Sequence, residues 1–188
     1  LDLPGSAETL GLSLEIPSTP EVTAQVVTDA DAPSVIAAIQ FRTDDDRIVE
    51  SLVLTRAELA PGDLEARRFA LANLLVLRTY PALAERSNAA RLIAFGPVSD
   101  WQAGDPEAVA GPLRPDAVQS IGTFTSESGA PRFFRHVGLA VPGRVQAVVA
   151  LVTIDTDLMP VRGDADLANS YSGLALESLR VRLPEADG

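Results

Sequence analysis

His136 is the only histidine in this 188-residue chain, so a nucleophile with an imidazole base would have to use it. Ser126 and Ser128 lie shortly before it, in the run Ser126-Glu127-Ser128-Gly129. Neither sits in a G-x-S-x-G elbow. A Ser–His–Asp site does not depend on sequence order, however, so a hydrolase pairing Ser126 or Ser128 with His136 stands as the catalytic alternative. The default for a single imidazole between Arg135 and Val137 is a structural or exposed strand residue. The pairs Asp29/Asp31, Asp155/Asp157 and Asp164/Asp166 could supply an acid and a base. Each falls in a turn or at an element end, where aspartate is favoured for backbone hydrogen bonding alone. Asp44-Asp45-Asp46 lacks the ordered spacing and distal glutamate of a calcium loop and reads as a solvated turn. The sequence contains no cysteine, which rules out disulfides, thiolate metal ligands and a cysteine nucleophile within it. It also shows no phosphate loop, dinucleotide fingerprint, H-E-x-x-H or zinc spacing. The expectation is a protein that is not an enzyme, with no cofactor and no metal.

Binding is better represented than catalysis. Pro61 to Tyr80 has the strongest helical period, with Asp63 suited to the positive end of the helix dipole. At ~100° per residue, Ala66, Phe69, Ala70, Leu74, Val76, Leu77 and Tyr80 fill one broad arc, which predicts the face that packs on a sheet. A narrow second ridge, Leu64, Leu71 and Leu75, emerges opposite, flanked by Arg67, Arg68 and Arg78. Two readings of this ridge stand. Another segment of the same chain covers it, or it docks another protein or a second copy, since apolar anchors beside arginine favour interfaces. A carrier of a small apolar ligand is a further alternative.

Composition narrows the partners. Twenty-six acidic residues against fifteen basic ones, all arginine, give a formal charge of −11. That balance argues against general nucleic-acid binding, which needs a clustered basic face. No apolar run reaches the ~20 residues needed to span a bilayer. The chain opens on Leu1, consistent with a trimmed or a mature form, and cysteine-free chemistry suits a periplasmic or secreted home as well as a cytoplasmic one.

The elements that must position these residues centre on Val145 to Asp155, VQAVVALVTID, which is apolar on both alternating faces and rich in β-branched residues. This predicts a central strand covered on both sides. Gly11–Ile16 and Val22–Thr28 read as earlier strands. Val35–Thr43 and Arg47–Arg56 read as a hairpin across the aspartates, and Arg91–Phe95 as a short strand. Val118–Thr125, Arg132–Ala140 and Val145–Asp155 form a meander. A closing helix is predicted from Asp164 to Arg182, with Leu167, Ala168, Tyr171, Leu174, Ala175 and Leu179 inward. Ser170 and Gly173 are then outward, with Gly173 costing ~1 kcal/mol relative to alanine. Residues 96–117, dense in proline and glycine and holding Trp101 as a plug on the core, read as a long loop. The fold class is thus a single α+β domain over 1–188, with an irregular lead-in over 1–10. A mainly antiparallel, twisted sheet of six or seven strands lies between helices 61–80 and 164–182 on opposite faces.

The order of these elements resembles the PsbP-like fold family of photosystem accessory proteins, a yeast Ran-binding protein and bacterial envelope lipoproteins. The stretches that carry the likeness are LGLSLEIP, RIVESLVLTRAELAPGDLEARR, RFFRHVGLAVPGRVQAVVALVTID and LANSYSGLALESLRV. The resemblance implies an antiparallel sheet sandwiched by helices. It also implies a binding or assembly role, in the bacterial envelope, rather than catalysis.

Overall fold

The structure, a computed structural model, describes residues 1–3, 11–27, 34–79, 91–97, 117–126, 129–141, 144–162 and 164–182. Side chains are described for all of these except 3, 64, 78–79, 91–97, 164 and 182. The loop around Trp101, Tyr80, Ser128 and the pair Asp29/Asp31 lie outside the described residues.

Seven antiparallel strands form the main sheet. They are β3 (Val22–Val27), β4 (Val35–Thr43), β5 (Ile48–Glu58), β6 (Arg91–Pro97), β7 (Ala117–Thr125), β8 (Pro131–Ala140) and β9 (Gln146–Asp155). Their spatial order is β3-β4-β5-β9-β8-β7-β6, which puts β9 fourth of seven, at the centre. β9 is hydrogen-bonded along its length to β5 on one side and β8 on the other. Its side chains alternate between two packed layers, as the doubly apolar run requires. Val148, Ala150, Val152 and Ile154 join Leu52, Leu54 and Val137 on one face. Ala147 and Val149 join Val118 and Ala140 on the other.

The aspartate run makes the β4–β5 turn. Asp46 takes the left-handed conformation (φ 65°), which aspartate tolerates better than most residues. Arg42 Nη1 holds its carboxylate at 2.7 Å, and the Asp46 amide donates to Thr43 O at 2.9 Å.

The helices cover opposite faces. α1 (Leu64–Leu74) begins one residue after Asp63, whose Oδ1 accepts from the Ala66 amide at 2.9 Å, so Asp63 is a cap and Pro61 precedes the helix. It continues as a π-helical turn over Leu75–Thr79. On the other face the closing segment is two short helices, α2 (Asp164–Ala168) and α3 (Tyr171–Glu177). The unbroken helix expected over 164–182 stops because Ser170 caps a new one. Its backbone is extended (φ −69°, ψ 160°), and its Oγ accepts from the Gly173 amide at 2.9 Å. A 3.6-residue apolar period runs through such a junction without showing it.

The break reverses the reading of Gly173. A Cβ there would lie 1.9 Å from Leu167 O and 3.0 Å from Ala168 O, so glycine is what lets α3 fold back against α2. Gly173→Ala, which would gain about 1 kcal/mol in an exposed helix, is therefore expected to destabilise the protein by about 3 kcal/mol through overpacking against backbone. The midpoint of urea unfolding, compared with wild type, checks the sign.

A second, three-stranded sheet is also present. β1 (Asp2–Leu3) and β10 (Arg180–Arg182) flank β2 (Gly11–Ser13), so the expected opening strand is short and pairs with the end of the described chain rather than joining the main sheet. Leu12 and Leu14 from this region are buried against the α2–α3 side of the core.

Candidate functional site

α1 does not lie on the sheet by its broad arc. Leu71 and Leu75 are fully buried and pack on Val118, Ala140, Ala147 and Val149. Leu71 sits over Gly138, where an added Cβ would be 2.9 Å from its Cδ2, so the missing side chain makes the hollow that receives it. One turn earlier Arg67 is buried too, and its Nη2 donates to the carbonyls of Val141 (2.6 Å) and Arg144 (2.7 Å) at the β8–β9 turn. The inward stripe is thus Arg67–Leu71–Leu75, at i, i+4 and i+8.

Phe69 (69% exposed), Leu77 (72%) and Val76 (42%) point to solvent instead, with Ala70 and Leu74 at the edge of the packed cluster. This corrects the expected orientation. Leu71, Leu75 and Arg67 are inside the molecule and cannot form a docking ridge. Arg68 is half-buried, and the side chains of Leu64 and Arg78 fall outside the described residues. Counting apolar residues per arc favours the broader one. The deciding facts are two turn carbonyls that converge on one guanidinium, and a glycine hollow that fits one leucine. Neither fact belongs to the helix.

At the β3 end of the other face, a cleft of about 690 Å³ opens between the segment 17–22, the β4–β5 turn region and α3. Val22 and Val49 form a buried floor, with half-buried Leu158 and Met159 beside them and Leu174 at the rim, 42% exposed. Thr19 Oγ1 and Tyr171 Oη meet at 3.2 Å and join the walls, and the Tyr171 ring stacks on Phe41 (centroids 5.5 Å, 24°). Among the described residues Glu21 is the single charged one lining the cleft.

The α3 wall is held from beneath by Glu50 on β5, which is 1% exposed. Its carboxylate accepts from the amides of Tyr171 (3.1 Å) and Ser172 (2.8 Å) and from the Ser172 hydroxyl. These are first-turn groups with no partner inside the helix. Burial pushes the Glu50 carboxyl above the usual carboxylate value, and the hydrogen bonds from Ser172, Tyr171 and Ser170 offset part of that rise. Sequence reasoning overlooks Glu50, although the signal is there. In Ile48-Val49-Glu50-Ser51-Leu52 it shares an alternation face with Leu52 and Leu54, and a lone acid on an apolar face calls for buried partners.

With Ser126 the hydrolase arrangement does not assemble, and Ser128 lies outside the described residues. His136 is on β8, opposite Ser120 of β7 and Leu151 of β9, and burial lowers its pKa to about 4, which keeps it neutral near pH 7. Ser126 follows the end of β7, six residues beyond Ser120, which at strand rise places it roughly 20 Å away along the sheet. Its Oγ accepts from the Ala130 amide at 3.1 Å, closing the β7–β8 turn. Of the carboxylate pairs, Asp155 and Asp166 serve the backbone and one arginine. Asp155 pairs with Arg132 (2.9 Å) and accepts from the Asp157 amide (3.0 Å), and Asp166 accepts from the Arg162 amide (2.7 Å). Among the described residues no group of three or more acidic or histidine side chains could hold a metal.

No family model matches the chain, and no curated protein matches it. Among solved structures it is similar to the Ran-binding protein Mog1p of Saccharomyces cerevisiae, with a TM-score of 0.36 and 11% identity, over 83% of this chain and 89% of that one. It is also similar to the cyanobacterial PsbP (CyanoP) of Synechocystis sp. PCC 6803, with a TM-score of 0.43 and 12% identity, over 91% of this chain and 92% of that one. Likenesses this distant carry no argument about family or function, which rests on the surfaces described above.

Proposed function

We propose that this chain is a binding protein that acts through protein contact, presenting the outward side of α1 and its π-helical continuation to an apolar groove with a basic rim on another protein. The observation that carries this is the solvent-facing set Phe69, Val76 and Leu77. Among the described residues, three of the six large exposed hydrophobic side chains lie on α1 and the π-helical turn that continues it. They recur at i, i+7 and i+8, the spacing by which an amphipathic helix anchors in a groove.

Two quantities favour a different protein over a second copy. These three side chains expose on the order of 400 Å², so a flat pairing of this face with itself would fall short of the ~1,200 Å² of specific interfaces. Two copies would also each bring a formal charge of −11. A groove that encloses the helix adds area, and a basic rim complements the charge.

Photo-crosslinking from positions 69 and 77 in the native host, with the adducts weighed, tests the proposal. The expected result is one adduct of discrete mass from both positions, with the cross-linked peptides of the partner basic around an apolar stretch. Leu77→Asp should abolish the adduct formed from position 69, and Phe69→Asp the one formed from position 77, each while changing stability by no more than ~0.5 kcal/mol. Leu71→Asp should instead unfold the protein. An adduct of twice the chain mass, or none at all, would overturn the reading.

A further inference from the structure

The cleft beside α3 has a composition that selects a class of ligand, and it does so independently of the α1 surface. Its volume of about 690 Å³ lies within the range of small-molecule sites. The floor is apolar and buried, so an apolar body placed there leaves water on both sides of the contact. The rim is polar: the Thr19 and Tyr171 hydroxyls meet there, and each oxygen keeps acceptor capacity beyond that one bond.

The charge is one-sided. Among the described residues Glu21 is the single charged lining group and no arginine or histidine lines the cleft, in a chain whose formal charge is −11. An anionic head group would enter this cleft against the field of the protein with no cation to receive it, whereas a cation is drawn in.

We propose that this cleft binds a small organic amine, its apolar body on Val22, Val49, Leu158 and Met159 and its ammonium group turned to Glu21 and the rim hydroxyls. The wall that carries Tyr171 and Leu174 is fixed before the ligand arrives, because Glu50 ties the first turn of α3 to β5. Pre-organisation of this kind lowers the ordering cost of binding. Glu50 touches no ligand in this arrangement and is a positioning residue.

The test uses three probes of equal chain length: octylammonium, octanol and octanoate, each titrated into ¹⁵N-labelled protein. Octylammonium is expected to shift the amides of residues 19–22 and 171–174 saturably, octanol more weakly, and octanoate not at all. Glu21 is exposed, so Glu21→Gln keeps the fold, and it should weaken octylammonium about fivefold, the upper end for an exposed ion pair. Glu21→Lys should exchange the preference from octylammonium to octanoate. Equal binding of all three probes, indifference to Glu21→Gln, or the absence of any saturable shift at the cleft would each overturn the assignment. None of these outcomes bears on the α1 surface.

Discussion

Val148→Asp and Val149→Asp are each expected to unfold the protein, although the two side chains point in opposite directions. Val148 is fully buried in the layer beneath α2 and α3, and Val149 is 4% exposed in the layer beneath α1. Removing either valine forfeits ~1.5–3 kcal/mol of burial. The carboxylate that replaces it must either stay ionised without a partner or take up a proton, at several kcal/mol either way. The sum is comparable to the whole stability of a typical domain, ~5–15 kcal/mol. A far-UV circular dichroism spectrum and a thermal melt of each variant decide the matter. A folded Val149→Asp would mean that the α1 layer is dispensable, and a folded Val148→Asp that the α2–α3 layer is. Either result would sink the three-layer arrangement.

The sheet was legible in the sequence because each strand carries its own signature. β9 is apolar on both faces and follows Pro142-Gly143, β4 and β5 are divided by three aspartates, and β7 and β8 by Ser126 to Gly129. Alternation with a turn residue at each end is local information, and hairpin neighbours follow from it. What could not be read depends on contacts distant in the chain. The rotation of α1 is set by Gly138 and by the carbonyls of Val141 and Arg144, some seventy residues away. The small sheet pairs residues 11–13 with 180–182. The cleft draws its walls from four separate segments, and no periodicity within one of them marks a cavity. Ser170 and Gly173 are a different case. A cap residue followed three positions later by a glycine was visible, but the apolar period over 164–182 outweighed it.

Glu50 and His136 are expected to give the protein two opposing acid responses that cancel in part, and single variants should separate them. Burial lowers His136 to about 4 from 6.5, so the native state resists a proton that the unfolded chain accepts. The stability this represents is complete above the unfolded value and is lost as pH falls from 6.5 through 4. At 1.36 kcal/mol per pH unit the loss is about 3 kcal/mol. Glu50 is raised above 4.5, so the native state binds its proton more tightly than the unfolded chain does. Its contribution is complete below 4.5 and is lost as pH rises through the higher native value, which means that acidification strengthens the fold at this site. Urea midpoints between pH 7.5 and 4 should therefore fall more steeply in Glu50→Gln, where only the histidine response remains. They should fall less steeply in His136→Gln. Glu50→Ala is the harsher change, because it strands the Tyr171 and Ser172 amides and the Ser172 hydroxyl in a buried site, and is expected to cost roughly 3 kcal/mol. If Glu50→Gln leaves the pH slope unchanged, the carboxylate does not titrate where its burial places it. Were Glu50→Ala as stable as wild type, α3 would not be tied to β5 through this residue, and the cleft would owe its shape to the Phe41–Tyr171 stack and the Thr19 contact alone.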